Sequence, residues 1–166
     1  HILNPELNDI KSIAIERKNY RGEYYGLMYK KSIILCPKMV GGDILSFNMD
    51  TMEILTLVNW NKIKHYICEN SQYVFLRVTQ VDDLLYLPIY NTSRMLILNL
   101  NSLVIQKIEV GIDKLLGAYG GKNGIYLSEN YSSSVYKWNQ TSNIIEKCVI
   151  DKEFEGDNFY TFAIEL

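Results

Sequence analysis

The sequence predicts an all-β chain built from repeated four-stranded antiparallel units. Three observations predict it. Three segments align with one another without gaps: Ile34 to Ile54, Leu85 to Ile105, and Ile125 to Ile145. Each contains apolar runs of strand length, rich in Ile, Leu, Val, Tyr and Phe, separated by short polar turns. Several runs are apolar at consecutive positions, as in Leu84-Leu85-Tyr86-Leu87. A sheet with one wet face alternates, whereas a continuous run fits a sheet covered on both faces.

The aligned positions carry matching chemistry. Pro37 falls on Pro88 and Ser128, Phe47 on Leu98 and Trp138, and Asn48 on Asn99 and Asn139. Asp50-Thr51 falls on Asn101-Ser102 and Thr141-Ser142. The spacing is 51 residues from Pro37 to Pro88 and 40 from Pro88 to Ser128. Each copy reads as strand, polar loop, strand, small polar turn, strand. A further strand precedes each copy: Tyr24 to Tyr29, Val74 to Thr79 and Leu115 to Tyr119. The turns after these are Lys30-Lys31, Asp82-Asp83, and Gly120 to Asn123. Helices are disfavoured, because the runs are short, β-branched and broken at regular intervals.

Repeats of roughly 40 to 50 residues with four strands each are the propeller range. The expected architecture is therefore a β-propeller fragment. It has about three four-stranded antiparallel blades, near 24–60, 73–110 and 114–150, plus partial strands at both ends, 10–15 and 159–166. Propellers close with about four to eight blades. Missing residues or another chain are expected to complete the ring.

Tyr86 to Gly111 resembles the YVTN-type propeller repeat. The matching parts are Tyr86-Leu87, Asn91 to Ser93, Met95 to Asn99, Asn101-Ser102, and Val104 to Gly111. Tyr126 to Asn139 is a looser match, and the first copy keeps the loop and the Asn48–Asp50–Thr51 turn. Ile89 stands where that family usually has Asn. No Trp-Asp dipeptide of the WD40-like kind is present, and the kelch-like pair Gly120-Gly121 occurs once in a suitable place. Propellers of that kind serve many roles, so the resemblance implies the fold and only suggests binding.

Bulk composition excludes several classes. The net charge is −2, with no clustered positive surface of the kind that nucleic acid requires. No apolar stretch reaches the roughly 18 residues of a membrane span. Cys36, Cys68 and Cys148 form neither a CxxC pair nor a dense disulfide set. That pattern slightly favours a reduced, cytoplasmic setting, although residue 1 is His rather than Met and secretion stays open.

Chemistry-bearing motifs are sparse. There is no GxSxG elbow and no glycine-rich phosphate cradle. His65 and Cys68 make a lone HxxC pair, without the second pair a zinc site needs. Sequons occur at Asn91, Asn130 and Asn139. No catalytic residue, metal site or cofactor is expected. In an up-and-down blade, the second-to-third-strand loops share a face with the blade-to-blade connections. That face collects Lys38 to Asp43, Ile89 to Arg94 and Glu129 to Ser134. The first connection carries about eleven extra residues, and insertions gather on binding faces. The candidate ligand-binding residues are therefore Trp60, His65, Tyr66, Tyr90, Arg94, Glu129 and Tyr131. The expected function is a non-enzymatic binding or scaffold propeller, taking a protein, peptide or glycan on the loop face. The alternative is a propeller lyase or hydrolase acting on a carbohydrate or small substrate, with most of its site on other blades.

Overall fold

The computed structural model describes residues 20–67, 70–121, 124–132 and 134–148, and the backbone of two short strands, β1 (Ile2–Asn4) and β2 (Asp9–Lys11). The chain is all-β, with three four-stranded antiparallel sheets. Sheet 1 holds β3 (Tyr24–Tyr29), β4 (Ser32–Pro37), β5 (Ile44–Asn48) and β6 (Ile54–Val58). Sheet 2 holds β7 (Thr79–Val81), β8 (Leu84–Pro88), β9 (Arg94–Asn99) and β10 (Ile105–Glu109). Sheet 3 holds β11 (Leu115–Gly121), β12 (Gly124–Glu129), β13 (Val135–Asn139) and β14 (Ile144–Lys147). In each sheet the strands pair in chain order, so every sheet is a meander. β1 and β2 form a separate antiparallel hairpin with Ile2 opposite Lys11. The strand expected over 10–15 overlaps β2 at Ile10 and Lys11. The rest of it, and the strand expected over 159–166, lie outside the described residues.

Burial explains the continuous apolar runs. Leu85, Leu87, Leu96 and Leu98 of sheet 2 pack with Ile34, Cys36 and Ile44 of sheet 1 in one core. Tyr86 and Met95, on the other face of sheet 2, pack with Ala118, Ile125, Leu127 and Trp138 of sheet 3 in a second core. Sheet 2 is therefore covered on both faces, and successive residues of β8 go to different cores. Each fully buried Leu contributes roughly 1.5–3 kcal/mol. Burial also holds the Cys36 thiol far above the usual thiol range.

The repeated Asn has a definite job. Asn48 Oδ1 accepts from the N–H groups of Asp50 and Thr51 at 2.8 and 3.1 Å. Asn99 Oδ1 accepts from Asn101 and Ser102 at 3.0 and 2.9 Å. Asn139 Oδ1 accepts from Thr141 and Ser142 at 3.0 and 3.2 Å. An Asn side chain thus closes the third-to-fourth-strand turn in all three sheets. The turn ends on a residue at positive φ each time: Met52, Leu103 and Asn143.

The first strand of sheet 3 runs close to the first strand of sheet 2 and to the residues just before it. Arg77 and Gly117 form a parallel bridge, and Gly120 N donates to Thr79 Oγ1 at 2.9 Å. A Cβ on Gly117 would lie 2.4 Å from Arg77 Cβ, and one on Gly120 would lie 2.7 Å from a Val81 methyl. These two glycines let the strands meet.

Three expectations need correction. The first strand of sheet 2 is not Val74 to Thr79 but Thr79–Val81. Val74, Phe75 and Val78 are buried, but Val74 N donates to Lys38 O in sheet 1's loop and the bridge at Arg77 goes to sheet 3. An apolar segment reads as a strand whether its hydrogen bonds go to its own sheet or to its neighbours. The turn expected over Gly120 to Asn123 is also narrower, because β11 runs to Gly121 and β12 starts at Gly124.

The third correction concerns register. Phe47, Leu98 and Trp138 are all buried in third strands, opposite Ile54, Ile105 and Ile145. Across the sheet, Leu98 faces Leu85 and Trp138 faces Ile125. Phe47 faces Ile33, not the aligned Ile34. Sheet 1's first turn pairs Tyr29 with Ser32, one residue earlier than the Val81–Leu84 and Gly121–Gly124 pairings. The loop after β4, residues 38–43, is one residue longer than 89–93 and 130–134 and restores the frame. A one-residue slip reverses faces, so Ile34 points towards sheet 2. Leu85 and Ile125 point back towards the preceding sheet instead.

Candidate functional site

The loops after the second strands meet the segments that lead into their own sheets, and those of sheets 1 and 2 also meet the chain entering the next sheet. Lys38 N donates to Glu23 O, Tyr90 N to Val74 O, and Asn130 N to Lys114 O, at 2.8, 2.9 and 2.6 Å. The loop of sheet 1 also binds the segment entering sheet 2, through the bridge of Met39 with Tyr73. Leu115 N donates to Thr92 O and Asn91 N to Leu115 O, so the loop of sheet 2 is tied in the same way to β11. Loops and connections thus share one end of the molecule.

Four side chains converge there. The rings of Tyr73 and Tyr90 meet edge to face, with centroids 5.7 Å apart and planes at 75°. Asn130 Nδ2 donates to Tyr90 Oη at 3.1 Å. Burial, followed by a hydroxyl–hydroxyl contact with Tyr131, holds the Tyr90 phenol above its ordinary range. Tyr90 is half-buried, whereas Tyr73 is exposed and Tyr131 is 86% exposed. Tyr131 sits at φ 59°, a left-handed conformation that is rare for a bulky residue. Asn91 occupies the corresponding place in sheet 2 at φ 60°. Ser132 Oγ accepts from Ser134 N at 3.0 Å, which stiffens the loop behind Tyr131.

The other expected residues sit elsewhere. Asn59 caps a single helical turn, α1 (Trp60–Ile63), by accepting from Asn61 N, and a 3-10 turn over Lys64–Tyr66 follows. The insertion is therefore partly helical, where the sequence suggested only a loop. Trp60 N donates to Asp43 Oδ1 at 2.7 Å. Trp60 and Tyr66 pack against the first core, and His65 is exposed with its ring 3.9 Å from that of Tyr66. Arg94 opens β9 and pairs across the sheet with Glu109, Nε to Oε1 at 3.3 Å. Glu129 closes β12 and accepts from Tyr136 Oη at 3.3 Å. Of the seven, the structure brings Tyr90 and Tyr131 together and adds Tyr73 and Asn130. Tyr73 lies before the first strand of sheet 2, outside any repeated loop, so the repeat pattern gave no signal for it. Cys68 lies outside the described residues.

At the opposite end, Tyr29 Oη donates to Asp83 Oδ1 at 2.5 Å, and Asn101 Nδ2 donates to Asp83 Oδ2 at 2.6 Å. Lys30 Nζ donates to Asn101 Oδ1 at 3.2 Å. The Tyr29 hydroxyl, with help from Asn101 and Lys30, holds the Asp83 carboxyl below its ordinary range. This cluster clamps sheet 1 to sheet 2 with every polar group already engaged.

Among the described residues, no group of three or more His, Cys, Asp or Glu could hold a metal ion. Among them, too, no helix is long and apolar enough to cross a membrane. No family model matches the chain, and no curated protein matches its sequence.

Proposed function

We propose that the three sheets are blades of a β-propeller of the YVTN-like kind, and that the loop end is its binding surface. Support for the fold comes from the face-to-face stacking of the sheets, the meander order in each, and the parallel bridge of Arg77, just before the first strand of sheet 2, with Gly117 in the first strand of sheet 3. Propeller rings close with about four to eight blades, so further blades complete this one. The observation that carries the binding role is the cluster of Tyr73, Tyr90, Asn130 and Tyr131. It is drawn from successive sheets, tied down by backbone bonds, and presents exposed aromatic area. Tyr anchors partners at low entropic cost, because it has an apolar ring, a polar tip and only two side-chain torsions.

The test is a panel of immobilised proteins, peptides and glycans probed with the wild-type chain and with two double variants. Tyr73→Ala/Tyr131→Ala should abolish retention on whatever the wild type binds. Lys31→Ala/Asp50→Ala, at the exposed turn end, should leave retention intact. The reverse pattern would move the site to the turn end.

A further inference from the structure

Resting on the loop-end reading above, we propose that the cluster of Tyr73, Tyr90, Asn130 and Tyr131 takes a neutral oligosaccharide. Three features select that class. First, the cluster carries no formal charge. Arg94, the basic residue in sheet 2's loop region, is engaged by Glu109 at 3.3 Å, and Lys107 adds a second contact to the same carboxylate. Glu129, which precedes Asn130, and Lys114, whose carbonyl accepts from Asn130 N, flank the cluster with opposite charges, so the patch has no net charge to select an ionic ligand.

Second, its polar groups are phenol hydroxyls and a primary amide. Each of these both donates and accepts hydrogen bonds. Sugar hydroxyls also do both, so either partner can adopt the complementary role. A proline-rich peptide in polyproline II form offers mainly carbonyl acceptors, and would use only the donors.

Third, the cluster sets exposed aromatic rings beside a half-buried one. Tyr90 is half-buried and fixed by Asn130 and by the perpendicular ring of Tyr73. Tyr131 stands at the rim, 86% exposed. Its backbone is held at φ 59°, where Asn or Gly is the ordinary choice. Sheet 2 has Asn91 at the corresponding place, so the loop shape itself does not call for an aromatic residue. The aromatic ring in the third loop supplies a surface on which the C–H face of a sugar ring can lie, while the hydroxyls at its edge reach the amide and phenols.

The comparison with Asn91 also gives a variant that separates folding from binding. Tyr131→Asn suits the left-handed backbone and should keep or raise the melting temperature. Affinity electrophoresis and titration would use the full chain with maltohexaose, cellohexaose, xylohexaose and mannohexaose. The wild type is expected to bind at least one of them, and Tyr131→Asn and Tyr73→Ala to bind it at least tenfold more weakly. Absence of binding to all four, or equal binding by Tyr131→Asn, overturns the proposal. A proline-rich decapeptide and a hexagalacturonate complete the probe set. If either is bound instead and lost in Tyr131→Asn, the ligand class fails and the loop-end reading stands. If either is bound and neither variant changes it, both fail.

Discussion

Sheets 1 and 3 both resemble sheet 2 in sequence, but only sheet 3 copies its register. In sheet 3, Trp138 lies opposite Ile125 just as Leu98 lies opposite Leu85. In sheet 1, β4 is advanced by one residue, and Phe47 lies opposite Ile33. The alternation of side chains turns that single step into a change of face. Cys36 and Ile34 therefore enter the core shared with sheet 2. The lesson is that a repeat fixes the order and number of strands more firmly than it fixes which way each side chain points. Apolar residues at consecutive positions keep the pattern legible while leaving the face ambiguous.

The largest expected effect sharpens the part of the comparison on which both sheets agree. Trp138 is buried in the second core, edge to face with Tyr86 at a centroid separation of 6.2 Å, and its Nε1 donates to Asn143 Oδ1 at 3.2 Å. Trp138→Ala should cost roughly 3–5 kcal/mol in a denaturant melt. A loss below about 1 kcal/mol would place that ring in solvent and break the equivalence with Leu98.

The next prediction can break the slip itself. Ile34 is 2% exposed, whereas Ile33 is only half-buried. Ile34→Ala should cost roughly 2–5 kcal/mol, and Ile33→Ala less than half as much. Equal losses, or a larger loss at Ile33, would restore the ungapped alignment and contradict the observed pairing.

A smaller effect tests what all three sheets hold in common. Asn48→Ala, Asn99→Ala and Asn139→Ala each remove a side-chain acceptor from two turn N–H groups. The expected cost is about 0.5–1.5 kcal/mol each, similar in the three sheets because the turns are partly solvated. A marked difference among them would show that the slip in sheet 1 reaches its third-to-fourth-strand turn.

The smallest effect concerns the clamp between sheets 1 and 2, which sheets 2 and 3 do not repeat among the described residues. The Asp83 carboxyl is held below its ordinary range in the folded chain, first by the Tyr29 hydroxyl. Its contribution is therefore present above the unfolded value near pH ~4 and is lost as pH falls through the lower folded value. Asp83→Asn should be less stable than the wild type at neutral pH, and the gap should narrow below about pH 4. A gap independent of pH would show that the carboxylate charge adds nothing at this exposed site.

Much of the scaffold was legible in the sequence because local chemistry demanded it. Asn48, Asn99 and Asn139 stand where a turn needs an acceptor, and Lys30-Lys31 and Asp82-Asp83 are true two-residue turns. The segment from Val74 to Val78 misled because burial, not strand pairing, sets its composition. The site was half legible. Tyr90 and Tyr131 were visible as aromatics in equivalent loops, one position apart in the repeat. Tyr73 was hidden, because the bridge with Met39 that positions it is a contact between sheets. Trp60 and Tyr66 show the converse: aromatic residues in an insertion look like a binding surface until their packing against the core is seen.

Amide hydrogen exchange tests the central claim, that sheet 2 is enclosed by its two neighbours, most directly. Protection tracks burial and the cooperative loss of packing. The measurement compares the inner strands of the three sheets: β4 with β5, β8 with β9, and β12 with β13. The predicted result is slowest exchange at Leu85 to Leu87 and Met95 to Leu98, released together near the global unfolding free energy. Exchange there as fast as in β4 and β5, or release of sheet 2 while sheets 1 and 3 stay protected, would contradict the arrangement.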